Sequence, residues 1–559
     1  MSLPFRRLVR RILPVLAGLA GTSAGVMAQQ AALPATLPAS GLVVTSQRAA
    51  AEAGAAMLRE GGTAADAAVA ATLALMVVSP QLTGLGADAM ALSYRSGNGS
   101  GVTTLWDGRS TTPAAAGSEL FLDRSGQALP DQALSSGGRM VGAPGALRLL
   151  EALQHEDGKL PWARVVAPAI ALAQNGFAVS HSLATALAAG HTAPAPREAA
   201  MLTNRPLAQT LAQIATSGAD AVLRGPVAAE LARLVRNDRN PGLLTADDLA
   251  STTPQRRPPF CRPYHATTVC TAGPPSSGGF DLQAILALMD LTALPRLDPA
   301  GAETAHALAI AARNAERLRD RFLGDPDQMP VAVEDLLSQA ALAALTRPAK
   351  APHAADALAA LPGFAPLPAA VPAPLEADNA VVLVVDGSGN AISLSTSLQS
   401  LFGSRLALHG VVLGDALQGF ARQANLGGAP VVNHIASGRR PRSALVPAML
   451  FDAQGHLRAV LGVEGGAGGG LRLAQLAVRL IDQRLSPRAA LTAPFFRLDA
   501  ETVVLDDGVG AHLQADLLRA RGEKVTIQPP SARVMLLSVS DSFRLASSTQ
   551  AAGAVIRAP

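Results

Sequence analysis

Ala380-Val381-Val382-Leu383-Val384-Val385, Asp386-Gly387-Ser388-Gly389-Asn390 and Ala391-Ile392-Ser393-Leu394-Ser395-Thr396-Ser397-Leu398 together read as one β-hairpin. The first run is apolar throughout, as in a strand buried on both faces, and the second is a dense turn signal. The third alternates, with Ile392, Leu394, Thr396 and Leu398 on one face and the serines on the other. If Asp386 faces Asn390, an antiparallel register carries on to set Asn379 across from Ser397. A polar pair then closes the open end of a buried hairpin.

Upstream, residues 351–378 are rich in Ala and Pro, including Pro352, Pro362, Pro366, Pro368, Pro372 and Pro374. Repeated proline forbids a long helix, so this stretch reads as an exposed, extended linker and the main internal boundary. It divides a region from 29 to 350 from one spanning 379 to 559. Near the start, Leu42-Val43-Val44 reads as a strand, Ala49 to Glu60 as a helix stopped by Gly61-Gly62, and Ala64 to Val78 as a second helix. Ala91 to Tyr94 reads as a strand, and the middle of the chain is dominated by helices.

Residues 1–28 have the form of an export signal. Arg6, Arg7, Arg10 and Arg11 precede the apolar stretch Ile12 to Val26, and Val26-Met27-Ala28 offers a small-residue cleavage site. Glycines break that stretch, and no later run is long enough for a membrane span. A periplasmic or secreted protein is expected. There Cys261 and Cys270, the only two cysteines, can bridge across a hairpin or remain as buried thiols. Two cysteines and ten scattered histidines argue against a zinc site, and nothing asks for a cofactor.

A chain of 559 residues that is 49% hydrophobic and 16% charged is globular. Its formal charge of +4 is small for the length, and arginine is spread along the chain, which argues against nucleic acid as partner. With two Trp and two Tyr, an aromatic platform is hard to assemble. The expected ligand is small and polar.

Several segments in order resemble the γ-glutamyltranspeptidases (gamma-glutamyltransferase, or glutathione hydrolase, family). They include Leu58 to Ala68, Val141-Gly142-Ala143-Pro144-Gly145, Leu244 to Leu249, Pro274 to Gly279, Phe322 to Asp327 and Asp386 to Ala391. The resemblance covers nearly the whole chain after the leader. It implies an α/β (αββα) N-terminal-nucleophile hydrolase-like four-layer sandwich, with two stacked sheets between helical layers. Such enzymes are similar to one another in cutting themselves before a Thr, whose hydroxyl then carries the γ-glutamyl group as an ester.

The resemblance places Asn379 at that Thr. A carboxamide nitrogen is a poor nucleophile, and no Ser, Thr or Cys occurs from Arg347 through Gly387 to take its place. By the same resemblance, Arg109 and Ser443 are the expected ligand-carboxylate contacts, with Ala444 where a second Ser is usual. Gly465 and Gly466 are the expected oxyanion-hole glycines, after Glu464 where Pro is usual. Ser397 is matched to a hydroxyl that supports the nucleophile, while Gln399 and Asp415 are the nearest candidates for holding a ligand amine, the family's acidic position being Gly419. The implied protein keeps the fold, stays uncut, is catalytically impaired or inactive, and has a pocket that either binds a γ-glutamyl or amino-acid ligand or is vestigial. Two alternatives stand beside it: an active γ-glutamyl hydrolase or transferase using Ser397, and a non-catalytic periplasmic partner of an active paralogue.

Overall fold

In the computed structural model, residues 41–97, 101–134, 136–189, 196–291, 302–346, 358–372, 378–465, 468–540, 544–549 and 554–557 are described. Residues 1–28, expected as an export signal, Gly466 and much of the linker lie outside these residues.

Two sheets carry the fold. The first contains β1 (Leu42–Thr45), β2 (Asp88–Arg95), β3 (Val102–Gly108) and β4 (Gln255–Arg257). The second begins with β5 (Phe260–Tyr264) and β6 (Thr267–Thr271). The chain then returns to the first sheet with β7 (Asp378–Val385) and β8 (Ala391–Gln399), and to the second with β9 (Ala448–Asp452), β10 (Leu457–Glu464), β11 (Arg533–Val539) and β12 (Arg544–Ser548). β13 (Ala554–Arg557) completes the first. The orders are β13-β1-β7-β8-β2-β3-β4 and β12-β11-β10-β9-β6-β5.

The layers follow from the two-residue period of β7. Ala380, Val382 and Val384 join one core with α1 (Arg48–Arg59), α2 (Ala64–Val78), α3 (Ala146–Asp157) and α4 (Trp162–Asn175). Val381, Leu383 and Val385 join another with Met449, Val460, Met535 and Leu537 of the second sheet. On that sheet's far face, Leu461 and Val463 pack with α5 (Ser277–Asp290), α6 (Ala302–Phe322), α7 (Gly469–Ile481), α8 (Pro487–Thr492) and α9 (Ala511–Arg519). Helix, sheet, sheet, helix is the expected αββα sandwich.

The hairpin turn is braced by one carboxylate. Asp386 Oδ1 accepts from the amides of Ser388 and Asn390, and Oδ2 accepts from Asn390 Nδ2 and from the Ala64 amide at the start of α2. An acid at a helix N-terminus also meets the favourable end of the helix dipole. Cys261 and Cys270 face each other on β5 and β6 and are joined in a disulfide, the bridged alternative.

The linker departs from expectation. Its described part, 358–372, is not simply exposed, for Leu358, Phe364 and Ala369 are buried. The Val371 amide donates to the Asp320 carbonyl, the Ala369 amide to that of Pro430, and Arg442 Nη2 to that of Val371. Helix is confined to 358–359 among these residues, and the apolar side chains between the prolines gain by leaving water.

Candidate functional site

The site lies beside a close approach of the two sheets. A Cβ on Gly462 of β10 would lie 2.5 Å from Val381 Cγ1 of β7, so glycine is what permits this approach. Two residues before Val381, Asn379 reaches across the gap. Its Nδ2 donates to the Val463 carbonyl at 2.8 Å, and its Oδ1 accepts from the Gly465 amide at 2.7 Å. One partner offers only an acceptor and the other only a donor, which fixes the orientation of the carboxamide. Gly465 has φ +72°, a conformation that suits glycine and turns its amide toward Asn379. Around Asp378, Asn379, Ser397, Val463 and Gly465 the remaining space is about 10 Å³, room for about one water molecule.

Ser397 is not squarely opposite Asn379. The expected register holds from Ala391↔Val385 to Thr396↔Ala380 and then shifts, so that Gln399 pairs with Asp378. Across the irregularity, Ser397 Oγ donates to the Asp378 carbonyl at 2.6 Å and accepts from the Gln399 amide at 2.8 Å. The hydroxyl therefore holds the carbonyl of the Asp378–Asn379 peptide bond. Gln399 absorbs the irregularity with φ +83°, a left-handed conformation uncommon outside glycine.

The neighbouring strands bring in Arg109. Ser397 faces Asp88 in the β8–β2 register, and Arg109 follows directly on β3, whose Gly108 faces Ala89. Arg109 Nε donates to Asp88 Oδ2 at 2.8 Å and Nη2 to the Arg442 carbonyl at 3.1 Å, while Nη1 is buried with no partner among the described residues. Asp88 also accepts from the amide and hydroxyl of Ser110. It was missed from sequence, since one acid at the start of a strand carries no periodic signal. Its carboxylate supplies the counter-charge without which Arg109, 1% exposed, would be an isolated buried cation.

Ser443 is placed by backbone bonds to the turn before α5: its amide donates to the Pro275 carbonyl, and its carbonyl accepts from the amide and hydroxyl of Ser277. Its own Oγ accepts from the Leu445 amide at 3.1 Å. Asp415 joins the Gln399 end of β8 through its amide, which donates to the Leu398 carbonyl, and its carboxylate accepts from the Ser400 amide and Gln418 Nε2. Burial, opposed by these bonds and reinforced by the charge of Asp88, pushes its carboxyl up to about 6. Gln399 Nε2, like Arg109 Nη1, is a buried donor with no acceptor among the described residues. Glu464 is held by Arg533 at 2.6 Å, and burial raises its pKa.

Among the described residues no three His, Cys, Asp or Glu side chains form a metal-binding group, and no helix is long and apolar enough to cross a membrane.

A family model described as gamma-glutamyltranspeptidase matches residues 50–554. The chain is 29% identical over 521 residues to a glutathione hydrolase proenzyme of Escherichia coli (strain K12), covering 87% of this chain and 86% of the relative. It is 30% identical over 512 residues to the acylase ACY 1 proenzyme of Pseudomonas sp. (strain SE83), with 88% of each covered. Its fold superposes on the crystal structure of cephalosporin acylase from Bacillus halodurans with a TM-score of 0.79 at 25% identity, covering 94% of this chain and 98% of the other. A sequence match across the two sheets and their helices, together with an N-terminal-nucleophile hydrolase fold, establishes that the chain belongs to the gamma-glutamyltranspeptidase family.

Proposed function

We propose that this protein is an exported, uncut and catalytically silent member of its family that binds a small γ-glutamyl or amino-acid ligand. The observation that carries this reading is the two-point bond of Asn379 to Val463 and Gly465. If Asn379 occupies the nucleophile position, its carboxamide offers no hydroxyl, and its oxygen already takes the Gly465 amide that an oxyanion would need. Ligand binding is supported by Arg109 Nη1 and Gln399 Nε2, buried donors at this site that have no acceptor among the described residues. A bound carboxylate or carbonyl would remove that cost. Export is supported by the form of residues 1–28 and by the Cys261–Cys270 bridge.

An active enzyme using Ser397 is disfavoured by its geometry, since that hydroxyl donates to the Asp378 carbonyl and accepts from the Gln399 amide, neither of which is a general base. The purified protein is to be incubated with a chromogenic γ-glutamyl anilide and titrated with L-glutamate and glutathione by calorimetry. The expected result is no release above buffer and saturable binding of at least one of the two ligands. Turnover that Ser397→Ala abolishes would replace this reading with the hydrolase, and absence of binding to either ligand would remove the ligand from it.

A further inference from the structure

A second cavity, of about 580 Å³, lies on the far side of the second sheet between the start of α6, α7, α8 and α9. Its size falls in the range of small-molecule sites, roughly 300–1,000 Å³. The wall is largely apolar, with Leu308, Val478, Leu485 and Phe496 at its base. At the rim Val509, Leu513 and Leu517 are 85%, 67% and 42% exposed. Spacing by four residues puts them along one face of α9 and its approach. Three large apolar side chains gathered at the mouth of a cavity mark a place where an apolar body is received.

The wall holds one charged residue, Arg479. Its guanidinium lies 4.1 Å from the Phe495 ring centroid and donates to the carbonyls of Ala490, Ala493 and Pro494 at 3.0, 3.1 and 2.6 Å. These bonds use Nη1 and Nη2, and Nε–H takes part in none of them. Neighbouring Arg472 is neutralised by Asp506, whereas Arg479 forms no ion pair among the described residues. Burial, and after it the like charge of Arg472, pull its pKa down to about 10 against the weaker attraction of Asp506. A buried cation normally has an anion beside it.

We propose that this cavity binds a monoanionic amphiphile, an alkyl carboxylate whose apolar chain lies along α9 and the cavity base and whose carboxylate neutralises Arg479. The site is separate from the Asn379 pocket, and its occupancy does not depend on the proposed function.

The test uses the full-length mature protein and decanoate below its micelle concentration, titrated by calorimetry, with decanol as an uncharged probe of the same chain length. Decanoate is expected to bind saturably at one site, and decanol at least about tenfold more weakly. The rim variant Leu513→Asp/Leu517→Asp, which alters exposed side chains only, is expected to weaken decanoate at least about tenfold with its thermal midpoint retained. Arg479→Met is expected to abolish the preference for decanoate over decanol. Should that variant fail to fold, the probe comparison and the rim variant still decide. Absence of saturable decanoate binding, equal affinity for decanol, or unchanged binding by the rim variant would overturn the proposal.

Discussion

The two ends of the β7–β8 hairpin are built on opposite plans. At the turn, Asp386 satisfies backbone groups within four residues of itself and reaches one more at the start of α2. At the open end, Asn379 takes its partners from β10 and the residue after it, 84 and 86 positions along the chain. Ser397 and Gln399 there break the ladder that the turn sets up. The turn end serves one sheet. The open end joins two, and the site forms where the regular ladder gives way.

Substitutions should separate these plans. The largest effect is expected at the open end from Asp88→Ala, which strands the Arg109 cation in the interior and should cost about 3–5 kcal/mol by urea denaturation. A loss under about 1 kcal/mol would show that Arg109 does not depend on this carboxylate. Asp386→Ala should cost about 2–4 kcal/mol, because four donors lose a charged acceptor at once. A comparable loss from Asn390→Ala alone would shift the weight from the carboxylate to the turn.

The Asp415 carboxyl gives a pH signature. Its folded pKa of about 6 lies above the ordinary 3.8, so the folded state holds the proton more tightly than the unfolded state. Its contribution therefore favours folding at low pH and declines as pH rises from about 4 to about 6, levelling off above that. Asp415→Asn should flatten that part of the stability profile by about 3 kcal/mol, and an unchanged profile would place the titration elsewhere. The smallest effect is expected from Asn379→Ala, about 1–2 kcal/mol, for two neutral hydrogen bonds between sheets.

What could be read from the chain follows the same division. The apolar run at 380–385, the alternation at 391–396 and the Asp386 turn gave the correct register because all three are local, and the structure turns Ile392 and Leu394 toward the helices. The register failed at Ser397 because Gln399 adopts a left-handed backbone that no neighbouring residue demands. Asp88 went unnoticed for a similar reason: its importance comes from Arg109, on another strand. The linker's prolines rule out a long helix in its described part but say nothing of Phe364, whose burial is a tertiary event. The Arg109 and Ser443 positions came from resemblance to a family, and spacing alone would not have found them.

The central claim is that an asparagine at position 379 leaves the chain whole. The direct measurement is the intact mass of the purified, denatured protein expressed with its leader. The account predicts one polypeptide running continuously through the Asp378–Asn379 bond, with Asn379→Thr as the variant in which cleavage at that bond is to be sought. Two fragments from the unaltered protein, one of them beginning at Asn379, would contradict it.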